Sequence, residues 1–285
     1  MDECHGSMFG RRVRSACRAW IAFCVLVSVR PGAAIEPDAR PLRLVIVPDE
    51  GWNGARPADV EAVLASAGRA LLRHAAAAPM PPLEVHPRGG PIVLFERAPT
   101  GAVRVHLNTG GNLWSQYAFQ FGHELCHVLC RFDRNHRAHT WFEESLCETA
   151  SLFVLRRMAE EWERDPPFPN WRTYAPRLAD YADQRLAAAP PEAGGSFVEW
   201  YRKHQDVLLA NPTNREQNLA VAAALLPLFE ARPARWAAVE WLNAGPPQGP
   251  RSFREHLLEW RHHAPADCAA DIEAIAAAFG EQLDP

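Results

Sequence analysis

Residues 121–130, FGHELCHVLC, place two histidines four positions apart, with a glutamate directly after the first. On a helix, His123 and His127 lie about 40° apart on one face, and Glu124 lies slightly to one side of them. Imidazole nitrogens bind zinc at roughly 2.0–2.1 Å. Both rings can therefore hold one zinc ion, and the Glu124 carboxylate can reach a water molecule on that ion as a catalytic base.

A second stretch, residues 139–153 (HTWFEESLCETASLF), offers the third ligand that a catalytic zinc site needs. Glu144 lies seventeen residues after His127, which leaves room for a loop and a second helix. Glu148, one helical turn later, is placed to accept the remaining N–H of a ligand histidine. The alternative is a solvated acidic face that also includes Glu143. The apolar character of the segment argues against it, because buried carboxylates need partners.

Four cysteines follow residue 34: Cys126, Cys130, Cys147 and Cys268. An exported chain can oxidise them, and four cysteines allow three pairings. Cys126 and Cys130 lie one helical turn apart, where a mutual disulfide would be strained. A disulfide from one of them to Cys147 is one prediction, and small buried thiols in a helix interface are the other. Cys130 is also an alternative to Glu144 as a zinc ligand, although a thiolate would make the site more like a closed structural one.

HELCH followed by WFEESLCE resembles the gluzincin zinc peptidases, the group that includes thermolysin and many aminopeptidases. Their pattern is HExxH and then a glutamate some seventeen to twenty residues on, often within WF-x-E-G-x-A-E. The resemblance implies that one zinc ion is bound by His123, His127 and Glu144. It also implies that Glu124 is the catalytic base and that Glu148 supports a ligand histidine.

The resemblance extends over residues 102–153, with departures from the family pattern, among them a strand that runs almost directly into the zinc helix. Residues 102–108 resemble the edge strand along which such enzymes bind an extended substrate. Ser145 stands where these enzymes usually have glycine. The pattern identifies no donor for the oxyanion of the reaction; the candidates are Tyr174, Tyr181, Tyr201 and His204.

The elements that must position these residues can be read from hydrophobic periodicity. Residues 42–47 predict a buried strand, and residues 57–75 an amphipathic helix. Short strands are expected at 83–85, 92–95 and 102–108, and long helices at 113–132 and 142–161. After Pro166, proline-rich joints separate helical segments at 176–188, 196–209, 214–231, 234–243, 251–261 and 267–280. The predicted fold is α+β, with a small mixed sheet, a zincin-like two-helix active site and an all-helical C-terminal part.

The N-terminus resembles an export signal. Residues 1–34 combine a basic start, a short apolar stretch over 19–29 and small residues at 32–34. The alternative is a membrane anchor, but a span needs about 20 apolar residues. The predicted division is a signal peptide (1–34), an α+β zincin-like domain (35–163) and a helical domain (164–285). The location is then periplasmic or extracellular.

Charge argues against several classes of partner. The net charge is −4, and it falls to −7 once residues 1–34 are removed. We therefore expect no nucleic-acid partner and no stable membrane insertion after signal cleavage. The predicted function is a zinc-dependent peptidase, with one Zn²⁺, acting on a peptide or protein substrate. The alternatives are an exported zinc-binding module without turnover and a helical scaffold without metal; the sequence makes no prediction of oligomeric state.

Overall fold

The computed structural model describes residues 42–75, 79–134, 139–190, 196–246 and 252–283. The predicted signal peptide, residues 1–34, lies outside these ranges. Within them, no helix combines the length and the apolar character that crossing a membrane requires.

The N-terminal part of the chain forms a four-stranded mixed sheet. Its strands are β1 (Leu44–Ile46), β2 (Leu83–His86), β3 (Ile92–Val93) and β4 (Val103–His106). The order across the sheet is β1-β2-β4-β3. Strand β2 pairs in parallel with β1 and β4, whereas β3 runs antiparallel to β4.

Two predictions about individual strands are wrong. The first strand is an edge strand and not a buried one, since Val45 is 52% exposed. The strand at 102–108 is not an edge strand, because β4 lies between β2 and β3. The alternation of residue types along β4 shows which side chains face the core, and Val103 and Val105 are fully buried. It does not show whether other strands pair with β4 on one edge or on both. The edge strand next to the histidine helix is the two-residue β3, which contacts that helix.

The helices predicted from the sequence are all present in the described residues, and the helix predicted at 234–243 is the shortest relative to expectation, since it covers only Trp236–Val239. Proline at the first position starts the first helix, and side-chain caps such as Asn214 start later ones. The helices are α1 (Pro57–Leu72), α2 (Trp114–Leu129), α3 (Thr140–Trp162), α4 (Ala175–Ala187), α5 (Phe197–Ala210), α6 (Arg215–Ala231), α7 (Trp236–Val239), α8 (Phe253–His263) and α9 (Ala269–Ala278). The described chain is mixed α/β, with a small mixed sheet followed by helices, as predicted.

Helices α2 and α3 pack closely at Gly122. A Cβ atom at this position would lie 3.3 Å from the Cα of Ser151, so a side chain here would push the helices apart. The Ser151 hydroxyl donates to the Phe119 carbonyl at 2.8 Å and ties α3 to α2. This contact brings His123, the next residue of α2, close to the polar side chains of α3.

Helix α3 also contacts α1, α4 and α6. Its buried Ser145 and Thr149 donate to carbonyls one turn earlier in the same helix, which satisfies both hydroxyls inside the core. Through α3, residues of the helical C-terminal part reach the histidines of α2. The predicted domain boundary after residue 163 stays a prediction.

Candidate metal centre

His123 and His127 lie side by side on α2, with ring centroids 5.0 Å apart. Their side chains are 19% and 12% exposed, so both rings are held mostly inside the protein but still reach the surface of a cleft. The opposite face of the helix carries Phe121 and Leu125, which are fully buried. Packing of this apolar face fixes the direction in which the imidazoles point.

Glu144 of α3 lies between the Nε2 atoms of the two histidines. Its Oε2 atom is 3.2 Å from His123 Nε2, and its Oε1 atom is 3.7 Å from His127 Nε2. The predicted third ligand is thus next to both predicted histidine ligands. The same three side chains line one cleft.

The other ring nitrogens of both histidines face carboxylates of α3. His127 Nδ1 lies 2.7 Å from Glu143 Oε1, and His123 Nδ1 lies 3.7 Å from Glu148 Oε2. When Nδ1 carries the proton of a neutral imidazole, Nε2 presents its lone pair. Both lone pairs are then directed to the side where Glu144 lies, as in metal sites whose histidines are oriented by outer carboxylates.

These two supporting carboxylates are held by donors from the C-terminal part of the chain. The Asn243 amide donates to Glu143 Oε2 at 2.7 Å and to the Cys130 carbonyl at 2.8 Å. The Arg185 guanidinium donates to Glu148 Oε1 at 3.1 Å. Each histidine is therefore oriented by a carboxylate, which is itself held by a hydrogen-bond donor.

Glu148 lies beside a histidine, where the sequence predicts it, but three further supporting residues are not predicted. Glu143 was considered only as part of an acidic face, yet it is 3% exposed and paired with His127. The apolar segment around Glu143 is the sequence feature that could have indicated a buried, paired carboxylate. Asn243 and Arg185 lie far away in the sequence, and no local pattern marks them.

The catalytic base predicted from the motif, Glu124, is almost fully buried. Burial raises the pKa of its carboxyl, and the neighbouring His123 and His127 offset this only in part. The backbone N–H of Val93 on β3 also interacts with the carboxylate and lowers its pKa. A carboxyl whose pKa is raised is a stronger base and can still return the proton it accepts.

The histidines and carboxylates shift one another's ionisation. Burial lowers the pKa of His127, but Glu143 outweighs this and raises it to about 9. Burial likewise lowers the pKa of His123, and Glu144 and Glu148 together raise it well above its ordinary value. Burial raises the pKa of Glu144, and its bond with His123 brings it below the ordinary value. A cation at Nε2 must therefore compete with protons.

Cys147 of α3 also approaches the histidines. His123, His127 and Cys147 present ligand atoms within 4.8 Å of one another, a group that could bind a metal ion. Cys130 is the thiol alternative predicted from the sequence, but Cys147 is the thiol grouped with the histidines in the structure. Cys147 is fully buried, whereas the two histidines are partly exposed.

The predicted disulfide to Cys147 is wrong in this structure. All four described cysteines are free and buried, in line with the alternative of thiols in a helix interface. The Sγ atoms of Cys126 and Cys130 are 4.0 Å apart, about twice the length of a disulfide bond. The interface between α2 and α3 is thus packed around thiols.

A cleft of about 830 Å³ opens above the histidines. Its lining includes Ile92 and Val93 of β3, Phe95, Tyr181 and Arg215. Among the four candidate oxyanion donors, Tyr181 alone lines this cleft. The other three have different roles: Tyr174 bonds to Ser115, Tyr201 packs against Trp141, and His204 stacks on Trp200.

Comparison of the chain with protein-family models, with curated proteins and with solved structures gives no match in any of the three.

Proposed function

We propose that the protein is a zinc-dependent peptidase of the gluzincin type. The observation that carries the proposal is the orientation of the two histidines. Their Nδ1 atoms face Glu148 and Glu143, while their Nε2 atoms face Glu144 at the base of the cleft. Nothing in simple helix packing requires two imidazoles to converge on one carboxylate in this way.

The donor set fits zinc. Two imidazole nitrogens and one carboxylate oxygen form a typical catalytic zinc set, which leaves one coordination position for solvent or substrate. His123, His127 and Glu144 would hold the ion. Cys147 is the less suitable third ligand for catalysis, since it is fully buried whereas the Glu144 side chain is 19% exposed to the cleft.

Zinc, when bound, supplies a Lewis acid that polarises the scissile carbonyl and acidifies the attacking water. Glu124 accepts a proton from that water and delivers it to the leaving amine. The raised pKa of its carboxyl suits both steps. Glu143 and Glu148 keep the imidazoles in one tautomer and one orientation throughout.

The substrate lies along β3 in this proposal. Leu94 N–H donates to the Arg104 carbonyl on β4, so alternation directs the Val93 N–H and C=O to the outer side of β3. The N–H is engaged by Glu124, so the Val93 carbonyl is the group offered to a substrate backbone. No described strand pairs with that outer side. Ile92 is 44% exposed and lines the cleft, which offers an extended peptide both backbone and apolar contacts.

Tyr181 is the proposed donor to the oxyanion. It lines the cleft, and burial raises the pKa of its phenol, which keeps the O–H protonated. Tyr181→Phe is expected to lower kcat by about 10²-fold, the loss typical of one oxyanion donor. Zinc affinity should stay unchanged; a variant with the kcat of wild type would remove Tyr181 from this role.

Digestion of a peptide library by the purified zinc-loaded protein tests the proposal. Glu124→Gln should bind zinc as wild type does and cleave about 10²–10⁴-fold more slowly. Glu163→Gln, at an exposed position, is the matched control and should cleave as wild type. Equal cleavage by the Glu124→Gln protein would show that the mechanism is wrong.

An exported zinc-binding module without turnover is the second candidate, and the group of His123, His127 and Cys147 favours it. A thiolate ligand in a buried position would close the site to solvent, as in structural zinc sites. In that case zinc binding would depend on Cys147 and not on Glu144. Full zinc occupancy without cleavage of any library peptide would support this candidate.

We also propose that the protein acts after export to the periplasm or beyond it. The basic and apolar pattern of residues 1–34 supports this location. Mass spectrometry of the protein recovered from the producing cells tests it, with a mature N-terminus near residue 35 as the expected result. Recovery of the intact chain from the cytoplasm would contradict it.

A further inference from the structure

Three thiols converge on the side of α2 and α3 that faces the core. The Sγ atoms of Cys126, Cys130 and Cys147 all lie within 4.8 Å of one another, and all three residues are fully buried. Cys126 and Cys130 come from successive turns of α2, and Cys147 comes from α3. Both helices are thus needed to assemble the cluster.

The spacing of these sulfurs matches a trigonal metal site. A cation held by three sulfurs at about 2.3 Å, the usual Zn–S length, would set the sulfurs about 4.0 Å apart. The Cys126 and Cys130 sulfurs are 4.0 Å apart. Little movement of the side chains is therefore needed to bring all three thiolates to one ion.

A disulfide accounts less well for the cluster. It would use two of three equivalent thiols and leave the third unpaired. A bond between Cys126 and Cys130, one turn apart on the same helix, would also be strained. Three-fold convergence is the arrangement expected of metal ligands.

We propose that Cys126, Cys130 and Cys147 form a second metal site, which binds one soft monovalent cation of the Cu(I) class. Thiolates select soft cations, and Cu(I) is a soft cation that is satisfied by three sulfur ligands. Zinc in a structural site takes four ligands, one more than this cluster provides. The site is closed, so its role is to store the cation or to stabilise the fold and not to catalyse a reaction.

The end of α2 offers a route to the cluster. Cys130 is the C-cap residue of this helix, and the Asn243 amide covers its carbonyl. Helix ends open locally more often than helix centres. In the proposed route, local opening at this point would expose Cys130 first and give a cation access to Cys126 and Cys147. This inference does not rest on the proposed peptidase activity.

Titration of Cu(I) into the full chain tests the proposal. The reduced protein is first saturated with zinc under argon, so that the histidine site is filled, and Cu(I) is then added as its bicinchoninate complex. We expect one Cu(I) per chain, and X-ray absorption at the copper edge should show three sulfur ligands at about 2.3 Å. Nitrogen or oxygen ligands, or no transfer from bicinchoninate, would overturn the proposal.

Single substitutions locate the site. Cys126→Ser and Cys130→Ser should each weaken Cu(I) binding by about 10²-fold or more, because a hydroxyl is a poor ligand for a soft cation. Cys268→Ser, which removes the buried thiol outside the cluster, is the matched control and should bind as wild type. Unchanged binding by both cluster variants would overturn the assignment. Cys147 is left intact because it also approaches the histidines.

A further test uses the wild-type chain, so its result does not depend on whether the cysteine variants fold. One equivalent of Cu(I) should raise the Tm of the zinc-saturated protein, because a ligand that binds only the folded state stabilises it. Cys268→Ser should show the same rise. A Tm that does not respond to Cu(I) would contradict a site in the folded core.

Discussion

The α2–α3 helix pair presents metal ligands on two sides that differ in exposure and in chemistry. On the cleft side, imidazole nitrogens and the Glu144 carboxylate are partly exposed. On the core side, three sulfurs are fully buried. Nitrogen and oxygen with an open position suit a catalytic cation, whereas sulfur in a closed position suits a structural or stored one. The two groups of ligands therefore differ more in their access to solvent than in the number of ligands they contain.

Cys147 connects the two sides, since it belongs to both groups of potential ligands. In the proposed arrangement, Cys147 belongs to the core side, and the histidines belong to the cleft side with Glu144. The predictions that follow separate these assignments, beginning with the largest expected effect.

Removing the charge of Glu144 should have the largest effect on zinc binding. Glu144→Gln is expected to weaken zinc binding by more than about 100-fold, beyond the loss caused by an outer partner of a ligand. Cys147→Ser should change zinc affinity by less than about 3-fold. Competition with a fluorescent zinc chelator measures both. The opposite ranking of the two variants would make Cys147, and not Glu144, the third zinc ligand beside the histidines.

Removing a residue that donates a hydrogen bond to Glu143 or Glu148 should have an intermediate effect on zinc binding. Asn243→Ala and Arg185→Gln should each weaken zinc binding by about 10–100-fold, because the supporting carboxylate loses its partner and the imidazole loses its orientation. Arg177→Gln, on the exposed face of α4, is the matched control for Arg185. Zinc affinities equal to that of wild type for both variants would show that these residues support the fold alone.

The smallest expected effect is on the stability of the metal-free protein. The pKa of His127 is raised to about 9, so its interaction with Glu143 is fully present below the unfolded value of about 6.5 and is lost as pH rises through 9. The Tm should therefore fall by about 3 °C or more between pH 6.5 and 9.5. Differential scanning fluorimetry after chelation measures it.

His127→Gln should show a smaller fall over the same range, whereas His262→Gln, at an exposed position, should behave as wild type. A Tm that rises toward pH 9.5 in the wild-type protein would contradict the charged pairing of His127 with Glu143.

The sequence predicts the cleft side well because helical periodicity places its residues on common faces. The four-residue spacing of His123 and His127 brings the rings together, and the structure places Glu144 and Glu148 against them. The predicted helices and short strands are present as well. These are local relations, which depend only on the geometry of one helix or one strand.

The remaining features depend on how elements pack, which periodicity does not determine. Asn243 reaches Glu143 from a hundred residues away. Cys147 approaches the histidines because α3 has one particular rotation against α2, set by the close contact at Gly122. The order of strands likewise follows from the assembled sheet, and this is why β4 was mistaken for the edge strand.

X-ray absorption at the zinc edge of the protein loaded with one equivalent of zinc tests the central claim most directly. The account predicts nitrogen and oxygen ligands at about 2.0–2.2 Å, from His123, His127, Glu144 and solvent, without sulfur. A zinc–sulfur distance of about 2.3 Å would contradict it, and so would a protein that retains no zinc.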